Sequence, residues 1–307
     1  MRAICSSVIT AIFLFTSPAF GQTPPPILKT EGLRQVSPRV HIIPDNNVPL
    51  VPNVGFVIGD KAILVIDTGL GSRNGAAVAE VARKLGGDRQ LYLVTTHVHP
   101  EHDLGAHGFP ASTRLIRSND QVKDIAEFGL QVAKAFAARS ALIAELLAGA
   151  DFRKADITFD REYDLDLGGV QAKFLAMGSN HTRGDTVVWV ESDRVLFSGD
   201  VAMQAQPAFP VMASPYSTIR QWLASLDRLD ALKPAVVVPS HGPTGDAGYI
   251  AGYRAYLIEV RDRTAAEKKA GKSAEQAADA VTSAMADRFP DKGRLGGAIR
   301  AADAEAQ

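Results

Sequence analysis

Apolar runs separated by polar turns dominate the first hundred residues of the chain. Three short β-rich segments, bounded by Pro, Gly or Asn, predict strands at Thr30–Val36, Arg39–Ile43 and Asn53–Ile58. The continuous apolar runs Lys61–Ile66 and Leu91–Val94 predict strands that are buried on both faces. A helix is expected between these two runs, because apolar residues recur there at the spacing of one helix face.

The same alternation continues along the rest of the chain. Ser118 is the predicted N-cap of a helical region that extends to Leu147, with a break near Arg139. Seven further elements follow, namely strands at Ile157–Phe159, Glu162–Leu167, Val170–Leu175, Thr186–Val190 and Arg194–Phe197, a helix at Ser217–Leu232 and a strand at Ala235–Pro239. The last 60 residues are predicted to be helical. Two β-rich halves of this kind predict an α/β fold with two sheets packed face to face and helices outside.

Residues 1–21 have the pattern of an export signal. Arg2 supplies a positive start, the apolar run from Val8 to Phe15 is too short to span a bilayer, and Ala19-Phe20-Gly21 offers small residues at the cleavage site. Cleavage is expected before Gln22, and 22–29 is a proline-rich lead-in. The alternative is an N-terminal membrane anchor. We therefore expect an exported protein, periplasmic or secreted, without stable membrane insertion after cleavage.

Charge and cysteine content exclude several classes of function. The chain has 33 Lys and Arg against 34 Asp and Glu, so its net charge is −1. Because the chain has no excess of positive charge to attract a polyanion, nucleic acid is not an expected partner. The one cysteine lies inside the predicted signal, which excludes a disulfide framework and a thiolate nucleophile in the mature chain. A small-molecule substrate is the expected partner, and the oligomeric state is left open.

Histidines and carboxylates follow the predicted strands at their ends. His97 and His99 are two residues apart in an extended segment, so their side chains point the same way and can share one metal ion. Glu101 and His102, just after a proline, can turn toward a second ion. Three further candidates follow later strands, namely His181, Asp200 and His241. Imidazole and carboxylate ligands suit zinc, and also iron or manganese, and two adjacent metals activate water in hydrolases.

These pieces, in this order, resemble the metallo-β-lactamase-fold hydrolase superfamily over about 39–243. The resemblance implies a four-layer αββα sandwich with extra C-terminal helices, in which 30–245 is the metallo-β-lactamase-like domain and 246–307 is a C-terminal helical extension. It also implies two zinc ions per chain. The first would be held by His97, His99 and His181, and the second by Glu101, His102 and His241. Asp200 would bridge the metals and Asp67 would orient the site from behind its ligands.

Two positions place the chain within this superfamily. The family motif normally has aspartate where this chain has Glu101, whose side chain is one methylene longer and must fold back or move the second metal outward. The β-lactamases of the family usually have cysteine or serine where this chain has Asp200, whereas its thioesterases, lactonases and sulfatases usually have aspartate. The resemblance is therefore to exported members of the broader hydrolase branch with a His-x-His-x-Glu-His motif.

The resemblance implies a metal-bridging hydroxide that cleaves an ester-like, lactone or thioester bond, with Glu101 and Asp200 as the catalytic carboxylates. Two alternatives stay open, a β-lactam hydrolase and a di-iron redox or metal-binding protein. Arg183 is interpreted either as a surface or ion-pair residue, with Asp185 as its partner, or as a contact for an anionic group of the substrate. The segment Met203–Met212 is interpreted either as a pocket wall or as loop packing, and Ser118–Leu147 either as a lid or as helix packing.

Overall fold

A computed structural model describes residues 25–204 and 217–306 of the chain. The predicted signal, 1–21, lies outside these residues, as do 205–212 of the predicted pocket wall. The first sheet contains seven strands that neighbour one another in chain order: β1 (Arg34–Ser37), β2 (Val40–Ile43), β3 (Val54–Ile58), β4 (Ala62–Ile66), β5 (Gln90–Val94), β6 (Arg114–Ser118) and β7 (Ile157–Phe159). The second sheet contains β8 (Glu162–Asp166), β9 (Gln171–Gly178), β10 (Asp185–Val190), β11 (Val195–Gly199) and β12 (Val236–Pro239), which also neighbour one another in that order.

Part of each sheet is parallel, and this determines the edge of the sheet at which the carboxyl ends of the strands lie. β4, β5, β6 and β7 run in one direction, and β11 and β12 also run parallel to each other. The remaining pairs are antiparallel. Because parallel strands bring their carboxyl ends to one edge, residues that follow these strands collect there.

The helices lie outside the sheets. The described residues contain α1 (Gly71–Gly86), α2 (Pro100–Asp103), α3 (Asn119–Asp124), α4 (Leu130–Ala137), α5 (Ala141–Leu146), α6 (Ile219–Ala231), α7 (Gly248–Lys269), α8 (Ala274–Met285) and α9 (Lys292–Glu305). A π-helical turn at Ile125–Gly129 joins α3 to α4. Within the described ranges, no helix combines the length and the hydropathy needed to cross a membrane.

Three apolar layers hold this arrangement together. Phe174, Val188 and Phe197 pack with residues of the first sheet to fill the space between the two sheets. α1 covers the outer face of the first sheet, and α6, α7 and α9 cover the outer face of the second, where Trp222 and Tyr253 are fully buried. Burying side chains of this size contributes about 1.5–3 kcal/mol each. The predicted four-layer αββα sandwich with extra C-terminal helices is therefore confirmed.

The structure corrects the predicted start of one strand and confirms the predicted N-cap of one helix. The segment predicted as a strand over Thr30–Val36 begins with a 3-10 turn at Thr30–Gly32, and the strand starts only at Arg34. Glycine inside this segment weakens an extended pairing and favours a turn. The predicted cap is confirmed, because Ser118 Oγ accepts a hydrogen bond from the backbone N–H of Gln121 at 3.2 Å.

Candidate metal centre

The carboxyl ends of three strands and one loop bring the predicted ligands to a common edge of the sandwich. β5 leads to His97, β11 leads to Asp200 and β12 leads to His241. The loop between β9 and β10 carries His181. Ligands from both sheets therefore meet at the seam between them.

The sharp turn after β5 supplies the other three residues. His99 has extended backbone and precedes α2, which begins with Pro100 at its first position. Proline is pre-organised for the first turn of a helix, so the chain changes direction at this point. Glu101 and His102 on α2 are buried and face the same cluster as the histidines before the turn.

Three overlapping groups of side chains could each hold a metal ion. Within each group, one potential ligand atom per residue lies within 4.8 Å of those of the other residues. The groups are His97–His99–His181, His97–His102–Asp200 and Glu101–His102–His241. The structure thus brings all seven residues predicted as metal ligands into one cluster.

Distances between the potential ligand atoms are short. His181 Nε2 lies 3.1 Å from His99 Nδ1 and 3.2 Å from Asp200 Oδ2. Glu101 Oε1 lies 3.8 Å from His102 Nε2 and 4.0 Å from His241 Nε2. The longer side chain of Glu101 therefore stays within the group in which the shorter aspartate was expected.

Four buried atoms of the cluster lack a hydrogen-bond partner among the described residues. They are His97 Nε2, Glu101 Oε2, His102 Nε2 and Asp200 Oδ1. A buried polar atom without a partner costs on the order of 1–3 kcal/mol, so four such atoms in one place need an explanation. Imidazole nitrogen and carboxylate oxygen are metal ligands, and the donor set fits a divalent cation.

Asp67 lies behind the cluster and orients His102. Its carboxylate accepts hydrogen bonds from the backbone N–H of Thr96 at 2.7 Å and from the Thr96 hydroxyl at 3.0 Å. The same carboxylate lies 2.8 Å from His102 Nδ1. A carboxylate accepts only, so His102 donates from Nδ1 and its Nε2 faces the cluster.

The Thr96 hydroxyl also determines the tautomer of His97. Its one proton goes to Asp67, so its oxygen accepts from His97 Nδ1, which lies 3.1 Å away. His97 Nε2 is then left with a lone pair and faces the cluster. Asp67 and Thr96 together thus prepare two histidines to bind a cation through Nε2.

The pKa values of the histidines reflect burial and neighbouring charges. Burial lowers the pKa of His97 and of His99 well below the ordinary value, and the neighbouring histidines lower both further. Burial also acts to lower the pKa of His102, but the charge and hydrogen bond of Asp67, together with the charges of Glu101 and Asp200, outweigh it and raise the pKa to about 9. A cation bound at His102 Nε2 must displace a proton there.

The two carboxylates of the cluster behave differently. Burial by itself raises the pKa of Asp200, but His181, His241 and the other histidines hold it well below the usual range. Burial raises the pKa of Glu101, against the effect of His102. Asp200 is therefore ionised at neutral pH and ready to bind a cation.

His241 is held by contacts that were not predicted from the sequence. Its Nδ1 lies 3.1 Å from the carbonyl oxygen of Val51, which leaves Nε2 for the cluster. Buried Asn53 donates to the carbonyl oxygens of Pro239 and Gly242, at 2.8 and 2.7 Å, on either side of His241. The only sequence signal was an asparagine at the first position of the predicted strand Asn53–Ile58, which is also typical of an ordinary turn.

The loop that carries His181 is closed by Asp185. Its carboxylate accepts from the backbone N–H of His181 at 2.6 Å, and from the N–H and hydroxyl of Thr182 at 3.0 and 2.6 Å. Burial raises the pKa of Asp185 to about 8, although these hydrogen bonds oppose the shift. Asp185 therefore sets the backbone geometry at His181.

The predicted ion pair between Arg183 and Asp185 is wrong. Arg183 Nε donates to Asp124 at 3.0 Å, and its Nη2 donates to Glu127 at 2.8 Å. Both carboxylates belong to the segment that begins at α3, and Asp124 also accepts from the backbone N–H of Gly184 at 2.9 Å. The carboxylate of Asp185 is occupied by its own loop, so Arg183 turns outward to the helices.

A buried ion pair supports α2 from the other side. Arg117 on β6 donates from Nε and Nη2 to the two carboxylate oxygens of Asp103, at 2.8 and 2.6 Å. Thr95 and Gln121 donate to the same carboxylate. This bidentate pair connects the end of α2 to β6, directly behind His102, and it was not predicted from the sequence.

The remaining histidines lie apart from the cluster. His41 is on β2, and burial lowers its pKa. His107 Nε2 forms an exposed ion pair with Asp151 at 2.8 Å. Neither belongs to the potential metal-binding groups found in the described residues.

The chain belongs to the metallo-beta-lactamase superfamily, whose family model matches residues 47–241. A linear primary-alkylsulfatase of Pseudomonas sp. (strain ATCC 19151) is 23% identical over 212 residues, which cover 59% of this chain and 40% of that protein. The resemblance to this superfamily that the motifs implied is therefore confirmed.

Solved structures show the same fold. The stereoselective inverting sec-alkylsulfatase Pisa1 from Pseudomonas sp. matches with a TM-score of 0.69 and 16% identity, over 89% of this chain and 50% of that one. A metallo-beta-lactamase family protein from Thermus thermophilus matches with a TM-score of 0.62 and 18% identity, over 86% of this chain and 92% of that one. The chain spans half or less of the length of the two alkylsulfatases. At these identities the solved structures show that the fold is shared, but they do not show which reaction this chain catalyses. The reaction has to be inferred from the residues of the site.

Proposed function

We propose that the protein is a metal-dependent hydrolase that cleaves an ester-type bond in a small molecule, with two zinc ions per chain. The convergence of four buried ligand atoms without other partners in the described residues supports this proposal. Iron and manganese are the alternative metals that the same ligands accept.

The three groups of side chains suggest a division of roles. His97, His99 and His181 would hold the first ion, and Glu101, His102 and His241 the second, with Asp200 between them. A bound metal pair would supply Lewis-acid polarisation of the substrate and a water molecule of lowered pKa. Asp200 Oδ1 and Glu101 Oε2 are buried and free of other hydrogen bonds in the described residues, so both can accept from an attacking water and orient it.

Two relatives of the chain suggest one further class of substrate to test. The two Pseudomonas relatives are named as alkylsulfatases, so sulfate esters belong in the substrate panel beside carboxylic esters, lactones and thioesters. A β-lactam such as nitrocefin tests the alternative that the family name suggests.

The test combines metal content with turnover. The protein is purified from the exported fraction without added metal, its metal content is measured by mass spectrometry, and the panel is assayed with and without a chelator. We expect about two zinc ions per chain and turnover that the chelator abolishes. His99→Ala should lose turnover and retain its fold, whereas His107→Ala, an exposed histidine outside the cluster, should behave like the wild type.

Other outcomes would contradict the proposal. Bound iron without turnover of any ester would favour a redox or metal-binding protein. Normal turnover by folded His99→Ala would place the reaction elsewhere. We also propose that the protein is exported with removal of 1–21, which N-terminal sequencing of the periplasmic protein tests.

A further inference from the structure

A cavity of about 290 Å³ adjoins the metal-ligand cluster. Its inner end is lined by His99 and His181, whose ligand atoms belong to one of the potential metal-binding groups. A molecule that occupies this cavity therefore lies directly beside the candidate metal centre.

Much of the cavity wall is apolar. Phe128 of the π-helical turn, Val132 and Ala135 of α4 and Val98 from the loop before α2 form this part of the wall, and Gln131 and Thr182 add polar atoms beside it. Phe136, the next residue of α4, is buried and packs near the His99 ring, with 5.4 Å between the ring centroids. The wall is therefore anchored to the core next to a candidate ligand. A π-helical turn at such a place is frequently associated with function.

Charges at the rim of the cavity are already paired. Arg183 lies there with two carboxylates, Asp124 at 3.0 Å and Glu127 at 2.8 Å. Its guanidinium carbon is also 5.6 Å from the centre of the Phe128 ring. Because Arg183 shares its charge with two carboxylates, the lining of the cavity offers no excess of positive charge to an anionic group. The cavity is therefore suited to an uncharged part of a ligand.

The volume sets the size of that part. An apolar cavity of about 150 Å³ holds one benzene molecule. The cavity beside the cluster is about 290 Å³, roughly twice as large. It can accept on the order of ten carbon atoms.

We infer that this cavity binds the uncharged, apolar part of the substrate, an alkyl or aryl group of about ten carbons, while the reacting bond lies at the metal centre. This inference rests on the proposed function. It also assigns Ser118–Leu147, which the sequence left as either lid or packing, the role of a substrate-binding wall.

Binding can be measured without hydrolysis. N-Alkylacetamides with alkyl chains of two to twelve carbons are neutral and resist hydrolysis, and their affinity for the purified full-length protein is measured by isothermal titration calorimetry. We expect the affinity to rise about two- to fourfold per added carbon and to stop rising near ten carbons.

Two tryptophan variants locate the binding site on α4. Ala135 is exposed and lines the cavity, so the tryptophan side chain in Ala135→Trp fills the cavity without disturbing the core. In this variant the affinity should change less than twofold between the shortest and the longest N-alkylacetamide. Leu130, on the same helix, is 67% exposed and does not line the cavity, so Leu130→Trp should match the wild type. Phe128→Ala enlarges the cavity and should extend the rise to longer chains.

The outcomes separate this inference from the proposed function. Affinity independent of chain length, or an unchanged series in Ala135→Trp and Phe128→Ala, would overturn the cavity assignment. Chain-dependent binding lost in Ala135→Trp, without turnover of any ester, would support the cavity and reject the hydrolase. Ester turnover with chain-independent amide binding would retain the hydrolase and reject the cavity.

Discussion

Replacing Asp67 by asparagine should damage the metal centre while preserving the shape of the chain. Asp67 has a φ of 65°, a left-handed conformation that asparagine also tolerates. The amide oxygen of the new side chain would still accept from the backbone of Thr96. Its amide nitrogen, however, would face His102 Nδ1, which would then have to accept. His102 would carry its proton on Nε2, the nitrogen that is needed as a metal ligand.

The magnitude of the effect follows from two properties of the buried His102–Asp67 pair. Removing a residue that orients a metal-binding histidine typically lowers metal affinity about 10–100-fold. In metal-free protein, the folded-state pKa of His102 is about 9, above the ordinary value of 6.5. A raised histidine pKa stabilises the fold fully below pH ~6.5 and loses this effect as the pH rises through ~9. The shift corresponds to about 3 kcal/mol.

The assay compares the two proteins without metal and with it. Urea unfolding of metal-free wild type and Asp67→Asn is measured from pH 6 to 9, and zinc affinity is measured by competition with a chromophoric chelator. We expect the stability difference between the two proteins to shrink by about 3 kcal/mol over this range. Asp151→Asn, which alters the exposed pair with His107, is the matched control and should leave both measurements unchanged. Wild-type zinc affinity in Asp67→Asn would show that Asp67 does not prepare His102 to bind the metal.

Three further predictions concern the supports of the cluster. Asn53→Asp cannot donate to the carbonyl groups around His241, so it should lower the unfolding free energy by about 2–4 kcal/mol and reduce zinc content, as measured by urea unfolding and elemental analysis. Arg117→Met leaves Asp103 as an uncompensated buried charge and should cost about 3–5 kcal/mol in the same unfolding assay, whereas Arg39→Met at an exposed ion pair should have little effect. Chelation should lower the melting temperature, because an ion present at about 1,000 times its dissociation constant stabilises by about 4 kcal/mol, and adding zinc should restore it. An unchanged melting temperature would contradict a bound metal.

The strands and the ligand-type residues that follow them could be predicted because both depend on local pattern. Continuous apolar runs such as Lys61–Ile66 are typical of buried strands, and the ligand-type residues follow such runs directly. The order of the motifs then indicated the family. His181 and His99 are 82 residues apart in the chain, and no local signal indicates that they are neighbours. Only the order of the motifs predicted that they lie together.

The residues that support the cluster were missed for a common reason. β6 contains two arginines in five residues and does not have the pattern of a buried strand, yet Arg117 is buried because Asp103 pairs with it from another element. Arg183 was assigned the nearest carboxylate in the sequence, but its partners lie 56 and 59 residues away on the helical segment. Ion-pair partners brought together by tertiary structure leave no periodic signal in the sequence.

The position of the cluster at the seam makes it sensitive to how the two sheets align. The apolar contacts between the sheets are non-directional, so they tolerate small shifts of one sheet against the other. Hydrogen bonds depend on distance and angle and do not tolerate such shifts. Two backbone bonds cross the seam beside the cluster, from Thr186 to Thr96 at 2.8 Å and from Asn53 to Ser240 at 2.7 Å. A shift of about 1 Å there would cost little apolar contact but would move ligands of the two sheets relative to one another. Metal affinity should therefore report on sheet alignment more sensitively than the free energy of unfolding does.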